Sequence, residues 1–410
     1  MFYLILFFLE VYLLFKLEQK QWKTLITPLN VMALTFSFAL ITIILYCSYD
    51  KDTPPFYYPS LILWMFGLLI FEIASAFISW SSVKLQKSRI FNIEISKNDD
   101  KYHLLRNFAF FCIAVSFIRL RSLSSIEGFG TDEFSEDYQV TGVFAHLAVI
   151  LSCIFAYAIY KLDFKHRSSL LIIAGALVGM YAVGTKSWII APFLMGYLAR
   201  LMTGRTKLSI KTTVVPVLIV FGIFFLSYFL ILVIATESDV TEDFVSFVFT
   251  HFVDYLGGPV LAFSLDFKKG FVEPDMTEAL FAPFINFVHA FTKEKYINVI
   301  NPVFLDLGTL GDNNVRTFFG TIYAYSKNPF VFLFVTLLFS TVINYVYCLS
   351  RRSRSVFLLL ANCSNMVFLM FGFFDFYWLS LTPYEVTILF ILMHVLLYKK
   401  DMICLKTPKN

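Results

Sequence analysis

The sequence predicts an all-α, polytopic integral membrane protein of about eleven transmembrane helices, with a large outer loop carrying short amphipathic helices. Three observations lead there. Of the 410 residues, 58% are hydrophobic and only 15% charged, against about 25% charged in ordinary soluble domains. The apolar runs are continuous and close to the length of a helical span, too unbroken for the alternating strands of a transmembrane barrel. The charged residues fall into segments whose sign alternates along the chain. Such a composition excludes a soluble enzyme, a disordered chain and a disulfide scaffold. A net charge of +4 points to no nucleic-acid partner.

Taken in order, the expected spans are 1–15, 25–48, 59–80, 106–120, 141–160, 169–184, 187–203 and 213–235, then 329–349, 355–374 and 383–398. This divides the chain into a membrane domain over 1–235, an outer loop over 236–328 and a second membrane domain over 329–410. Lacking a basic n-region and a small-residue cleavage site, Met1-Phe2-Tyr3 opens an uncleaved span. With the N-terminus outside and the C-terminus in the cytoplasm, six inner segments hold 23 of the 33 Lys and Arg. In or next to the outer segments lie 21 of the 29 Asp and Glu. Removing one span would invert every later loop and destroy this agreement. The six cysteines lie in or beside apolar runs without a CxxC pair, so they read as small helix residues.

The 236–328 segment is far longer than an ordinary connection, and long structured loops carry function. Within it, 244–265 approaches the length of a span and 279–292 does so less strongly. Spanning by both would raise the count to thirteen. His251 and Asp254 would be costly at a bilayer centre, so both stretches are expected to lie as amphipathic helices at the interface.

The inner loops are short and hold no GxxxxGK[ST] or strand-to-helix GxGxxG. No nucleotide cofactor is expected, and any chemistry belongs outside. The informative cations are those that defy the charge rule. Arg119 and Arg121 follow only twelve uncharged residues, about 18 Å of helix at about 1.5 Å per residue, so they lie low in the outer leaflet or face an anion. Lys186 occupies the tight turn Gly184-Thr185-Lys186-Ser187. Arg316 precedes the chain's return to the membrane, with Asp312 as its nearest acidic neighbour. Cations on the outer face suit a membrane-borne phosphate ligand.

The layout resembles the Wzy-type polymerases of O-antigen and capsular repeat units. The similarity rests on the Gly-Thr-Lys-Ser turn and the long late loop. That loop carries Tyr255-Leu256-Gly257-Gly258-Pro259, then Ala262-Phe263-Ser264, then Asn314-Val315-Arg316-Thr317, with Tyr323 and Tyr325 after it. Ser326-Lys327-Asn328 stands where relatives commonly carry Asp-Phe-Gly. The resemblance implies a membrane glycosyltransferase in the bacterial inner membrane. It would act on oligosaccharides carried by undecaprenyl diphosphate, with membrane lipids around it and a flippase and chain-length regulator of the same pathway as partners. An O-antigen ligase and a lipid-linked sugar flippase are the competing readings.

The chemistry asks for cations to stabilise the departing diphosphate, which makes a metal unnecessary, and for a base to take the acceptor's proton. His251, Asp254 and Arg316 are the expected catalytic residues. Arg119, Arg121, Lys186, Tyr255, Asn314 and Tyr323 are expected to bind substrate. His251, Asp254 and Tyr255 share one helix face at i, i+3 and i+4. His146 and His289 are weaker candidates. The outer acids Asp132, Glu133, Glu136, Asp137, Glu242 and Asp243 read as solvated loop residues rather than a metal cage.

Overall fold

A computed structural model of the chain describes residues 1–81, 100–124, 143–162, 167–181, 187–236, 242–353 and 355–397. The helices, in chain order, are α1 (Phe2–Trp22), α2 (Pro28–Tyr49), α3 (Leu61–Ser81), α4 (Asp100–Ser124), α5 (Val143–Lys161), α6 (Arg167–Tyr181) and α7 (Ser187–Met202). They continue as α8 (Ile210–Thr236), α9 (Glu242–Lys269), α10 (Ala282–Thr292), α11 (Phe318–Ser326), α12 (Pro329–Arg352), α13 (Val356–Met370) and α14 (Thr382–Leu397). Each of the eleven expected spans falls on one of these helices, as far as its residues are described. A two-stranded antiparallel ribbon pairs β1 (Leu305–Asp306) with β2 (Asp312–Asn313).

Among the described residues, five segments are long and apolar enough to cross a membrane: Pro28–Tyr49, Tyr58–Ser81, Val245–Lys269, Pro329–Arg352 and Val356–Phe373. On two of them the outward face is an apolar stripe. On α2, Leu34, Phe38, Ile41 and Leu45 are exposed at helical spacing. On α3, Ile62, Phe66, Leu69, Ile73 and Phe77 form a second such stripe. Stripes of this size are matched by hydrocarbon, not water. The fold is that of a helical membrane protein.

One element differs from expectation. Residues 242–269 form a single long helix rather than short amphipathic pieces. Pro259 inside α9 removes only the bond to the Tyr255 carbonyl, and the apolar run carries the helix past it. Helix α10, with 11 residues, is about 16 Å long and too short to span.

The chain divides into two compact units that do not follow its order. The first comprises Met1–Lys87, Thr241–Cys348 and Phe368–Pro383. Its core joins α1, α2, α3 and α11 through Phe7, Phe36, Trp64 and Phe319, all fully buried. Helix α9 packs on the C-terminal end of α2: Thr250 lies beside Tyr46, Gly257 abuts Ile43, and Ser264 Oγ accepts from the Tyr57 amide at 3.3 Å. Between Thr250 and Ser264 the contacts thus stay at one end of α2 and in the turn after it. The second unit comprises Ser88–Val240, Leu349–Val367 and Tyr384–Asn410. There α4, α5, α6 and α7 pack through Cys112, Leu151, Ile154, Ile172, Met180 and Ile189. Of the cysteines, Cys112, Cys153, Cys348 and Cys363 are buried and unbridged, as small helix residues should be.

Candidate functional site

The 270–317 stretch of the first unit is a folded substructure organised by one cation. Arg316 is fully buried. Its Nε donates to Asp266 Oδ2 at 2.7 Å and to Glu273 Oε1 at 3.1 Å. Its Nη1 reaches the carbonyls of Asn313 and Val315, both at 3.2 Å, and its Nη2 that of Val303 at 3.0 Å. Two buried carboxyls around one guanidinium require that one proton be shared between them. Burial alone would raise the Glu273 carboxyl. The hydrogen bond from Asp266, the Arg316 charge and the Asn301 amide outweigh it and hold Glu273 below the usual carboxylate range. Further ties close the substructure: Lys327 Nζ donates to the Glu273 carbonyl, and the Tyr325 hydroxyl to the Val299 carbonyl at 2.8 Å.

This clamp sets the ribbon, and the ribbon sets a polar pair. Asn313 Oδ1 accepts the Val315 amide at 2.8 Å, which turns its Nδ2 toward Asp254 Oδ1 at 3.4 Å. The contact exists because residue 258 is glycine. A Cβ there would lie 2.2 Å from Asp254 Oδ1 and 3.0 Å from Asn313 Nδ2. Asp254 is half-buried, and the exposed Tyr255 ring beside it stacks on Phe374 at 6.0 Å and 12°. The pair of rings borders a carboxylate held by an amide.

Thr317 closes the site from the far side. Its φ of 69° is strained for a β-branched residue. It is held there by its amide on the Phe374 carbonyl at 3.1 Å, by Trp64 Nε1 on its Oγ1 at 3.0 Å, and by its capping of Gly320. Asp375, next to Phe374, accepts from Thr321 Oγ1 at 2.6 Å and from the Phe376 amide at 2.7 Å. Burial pushes the Asp375 carboxyl up.

The expected site residues separate into groups. His251, Asp254 and Tyr255 do share a face of α9, and the ring of half-buried His251 sits 4.3 Å from that of Phe247. Arg316 pairs with Asp266 and Glu273 rather than with Asp312, and its guanidinium has no face open to a ligand. The clamp absorbs Asn314 as well, through Asn301 at 3.0 Å. Tyr323 packs between Phe271 and Phe332 at 5.2 and 5.9 Å, so its ring face is spent on neighbours. Arg119 and Arg121 lie near the end of α4 in the second unit, half-buried and exposed respectively. Lys186 lies outside the described residues, as do Asp132, Glu133, Glu136 and Asp137. His146 pairs with Glu385 at 2.6 Å and His289 with Glu294 at 3.0 Å. The sequence reading missed Asp266, Glu273, Asn313 and Asp375. Only Asp375 carries a visible signal, a single acid inside the aromatic run 371–378.

The profile of a family of unknown function, DUF6337, matches residues 52–403. The chain belongs to that family. Asp254, Gly258, Asn313, Arg316 and Asp375 all fall inside the stretch that matches DUF6337. No curated protein and no solved structure matches the chain.

Proposed function

We propose that the protein is a glycosyltransferase of the bacterial cytoplasmic membrane. It polymerises oligosaccharide repeat units carried on undecaprenyl diphosphate at the outer face. The observation that carries the reading is the Asp254 carboxylate, oriented by Asn313 in the gap left by Gly258 and bordered by the Tyr255–Phe374 stack. An oriented carboxylate is suited to take a proton from an acceptor hydroxyl, and exposed aromatic rings are suited to sugar faces. The packing of α9 on one end of α2 supports an interfacial α9, and with it eleven spans, the N-terminus outside and the C-terminus inside.

On sequence grounds Arg119, Arg121 and Lys186 are assigned to the diphosphate, whose growing charge they would stabilise as the glycosidic bond breaks. Arg316 acts through the clamp instead, and no metal is needed. The decisive experiment is the polysaccharide profile of a deletion strain complemented with wild-type protein or Asp254→Asn. Loss of long chains with single capped units retained, restored by the wild type alone, is the expected result. Failure of units to reach the outer face would indicate a flippase, and long lipid-linked chains left untransferred would indicate a ligase. Polymerisation by purified protein is expected to persist in excess EDTA; a strict need for added magnesium or manganese would overturn the metal-free reading.

A further inference from the structure

At the opposite end of the first unit from the ribbon, α1 and α3 bury two acids against each other. Glu18 is fully buried and Glu72 is 7% exposed. Each carboxyl takes one donor on one oxygen. Ser75 Oγ donates to Glu18 Oε1, and Gln21 Nε2 donates to Glu72 Oε1 at 2.5 Å. Trp22 Nε1 completes the shell by donating to Ser75 Oγ at 2.9 Å, and Thr27 at the start of α2 also faces Glu18. The remaining oxygens, Glu18 Oε2 and Glu72 Oε2, are buried with no donor among the described residues. The two carboxyls face each other, because the Ser75–Glu18 and Gln21–Glu72 hydrogen bonds tie the same turns of α1 and α3. The other groups facing the pair, Ser75, Gln21, Trp22 and Thr27, are neutral, so among the described residues no cation balances it.

Two carboxylates cannot hydrogen-bond without a proton, and two facing charges in a buried site cannot both persist. We infer that Glu18 and Glu72 form a proton-binding site that holds one proton between them. The proton comes from water, and its binding converts a doubly charged pair into one carboxylate hydrogen-bonded by one carboxylic acid. Neither the Asp254 site nor the transfer reaction uses it. Glu72 lies inside the Tyr58–Ser81 segment, where an ionisable residue marks an ion or proton site more often than a structural contact.

The test uses the purified full-length protein in detergent. Infrared spectra at neutral pH in light and heavy water should show a deuterium-sensitive band from a buried carboxylic acid. A component of that band should be lost from both Glu72→Gln and Glu18→Gln, where the remaining carboxyl ionises against the new amide, while the component from the Asp266–Glu273 pair remains. On raising the pH, the wild-type thermal midpoint should fall, the folding equilibrium weakening by up to about tenfold per pH unit while the proton leaves. The Glu72→Gln midpoint should fall less than that of the wild type, and Glu18→Gln serves if that variant does not fold. An undiminished band in a folded variant would overturn the proposal. So would a wild-type midpoint that does not fall with pH, or one that sodium or calcium raises in the wild type, which would make the site a metal site.

Discussion

Gly257 and Gly258 stand side by side and make room for different things. Gly257 brings α9 against α2, where an added Cβ would meet Ile43 Cβ at 2.8 Å. Gly258 makes room for the Asp254–Asn313 pair. Gly257→Ala should therefore cost stability, about 1–3 kcal/mol of overpacking, read as a lower thermal midpoint. Gly258→Ala should keep the midpoint near wild type and lower polymer output by about 100-fold, the scale of losing a positioned base. Equal loss of polymer and midpoint in both would remove the distinction. Arg316 is the opposite kind of residue: its variant should fail by folding. Arg316→Ala leaves two buried carboxyls around a void, a loss of about 3–5 kcal/mol, so folded protein and activity should fall together. A well-folded, inactive Arg316→Ala would return Arg316 to direct contact with substrate.

At the scale of the element, the 270–317 stretch answers to pH through Glu273. Its folded-state pKa is depressed, so the stability it contributes is present above the ordinary glutamate value, about 4.3, and is lost as pH falls through the folded value. Hydrogen exchange along 270–317 should accelerate at acid pH while the buried amides of α2 and α3 stay protected. Uniform acceleration would place the acid sensitivity elsewhere. The helices that build this region were legible in the sequence because continuous apolar runs need no partner to declare themselves. The clamp was not, since Asp266, Glu273 and Arg316 are brought together by a fold and share no local spacing. His251, Asp254 and Tyr255 were legible as a face because five consecutive residues of one helix suffice to define it. Asn313, which orients Asp254, lies 59 residues away and could be found only through the ribbon.

For the whole molecule, the alternating charges and the exposed stripes on α2 and α3 place it in a bilayer, and topology is the next quantity to measure. Glu273 is 1% exposed and would be a poor labelling position, whereas Glu278 and Lys207 are exposed. Glu278→Cys should label from the outer side and Lys207→Cys from the cytoplasm; the reverse would overturn the orientation. The order of synthesis then matters. The Thr317 amide rests on the Phe374 carbonyl and Thr321 on Asp375, so the first unit draws on residues made after most of the second unit has left the ribosome. Until then Thr317 Oγ1 has Trp64 and the Gly320 amide in reach, while the Thr317 amide lacks the Phe374 carbonyl that completes its hold. A nascent chain halted before Phe368 should carry inserted helices and an unset loop, an intermediate that a membrane chaperone or quality-control protease would see and the finished protein would conceal.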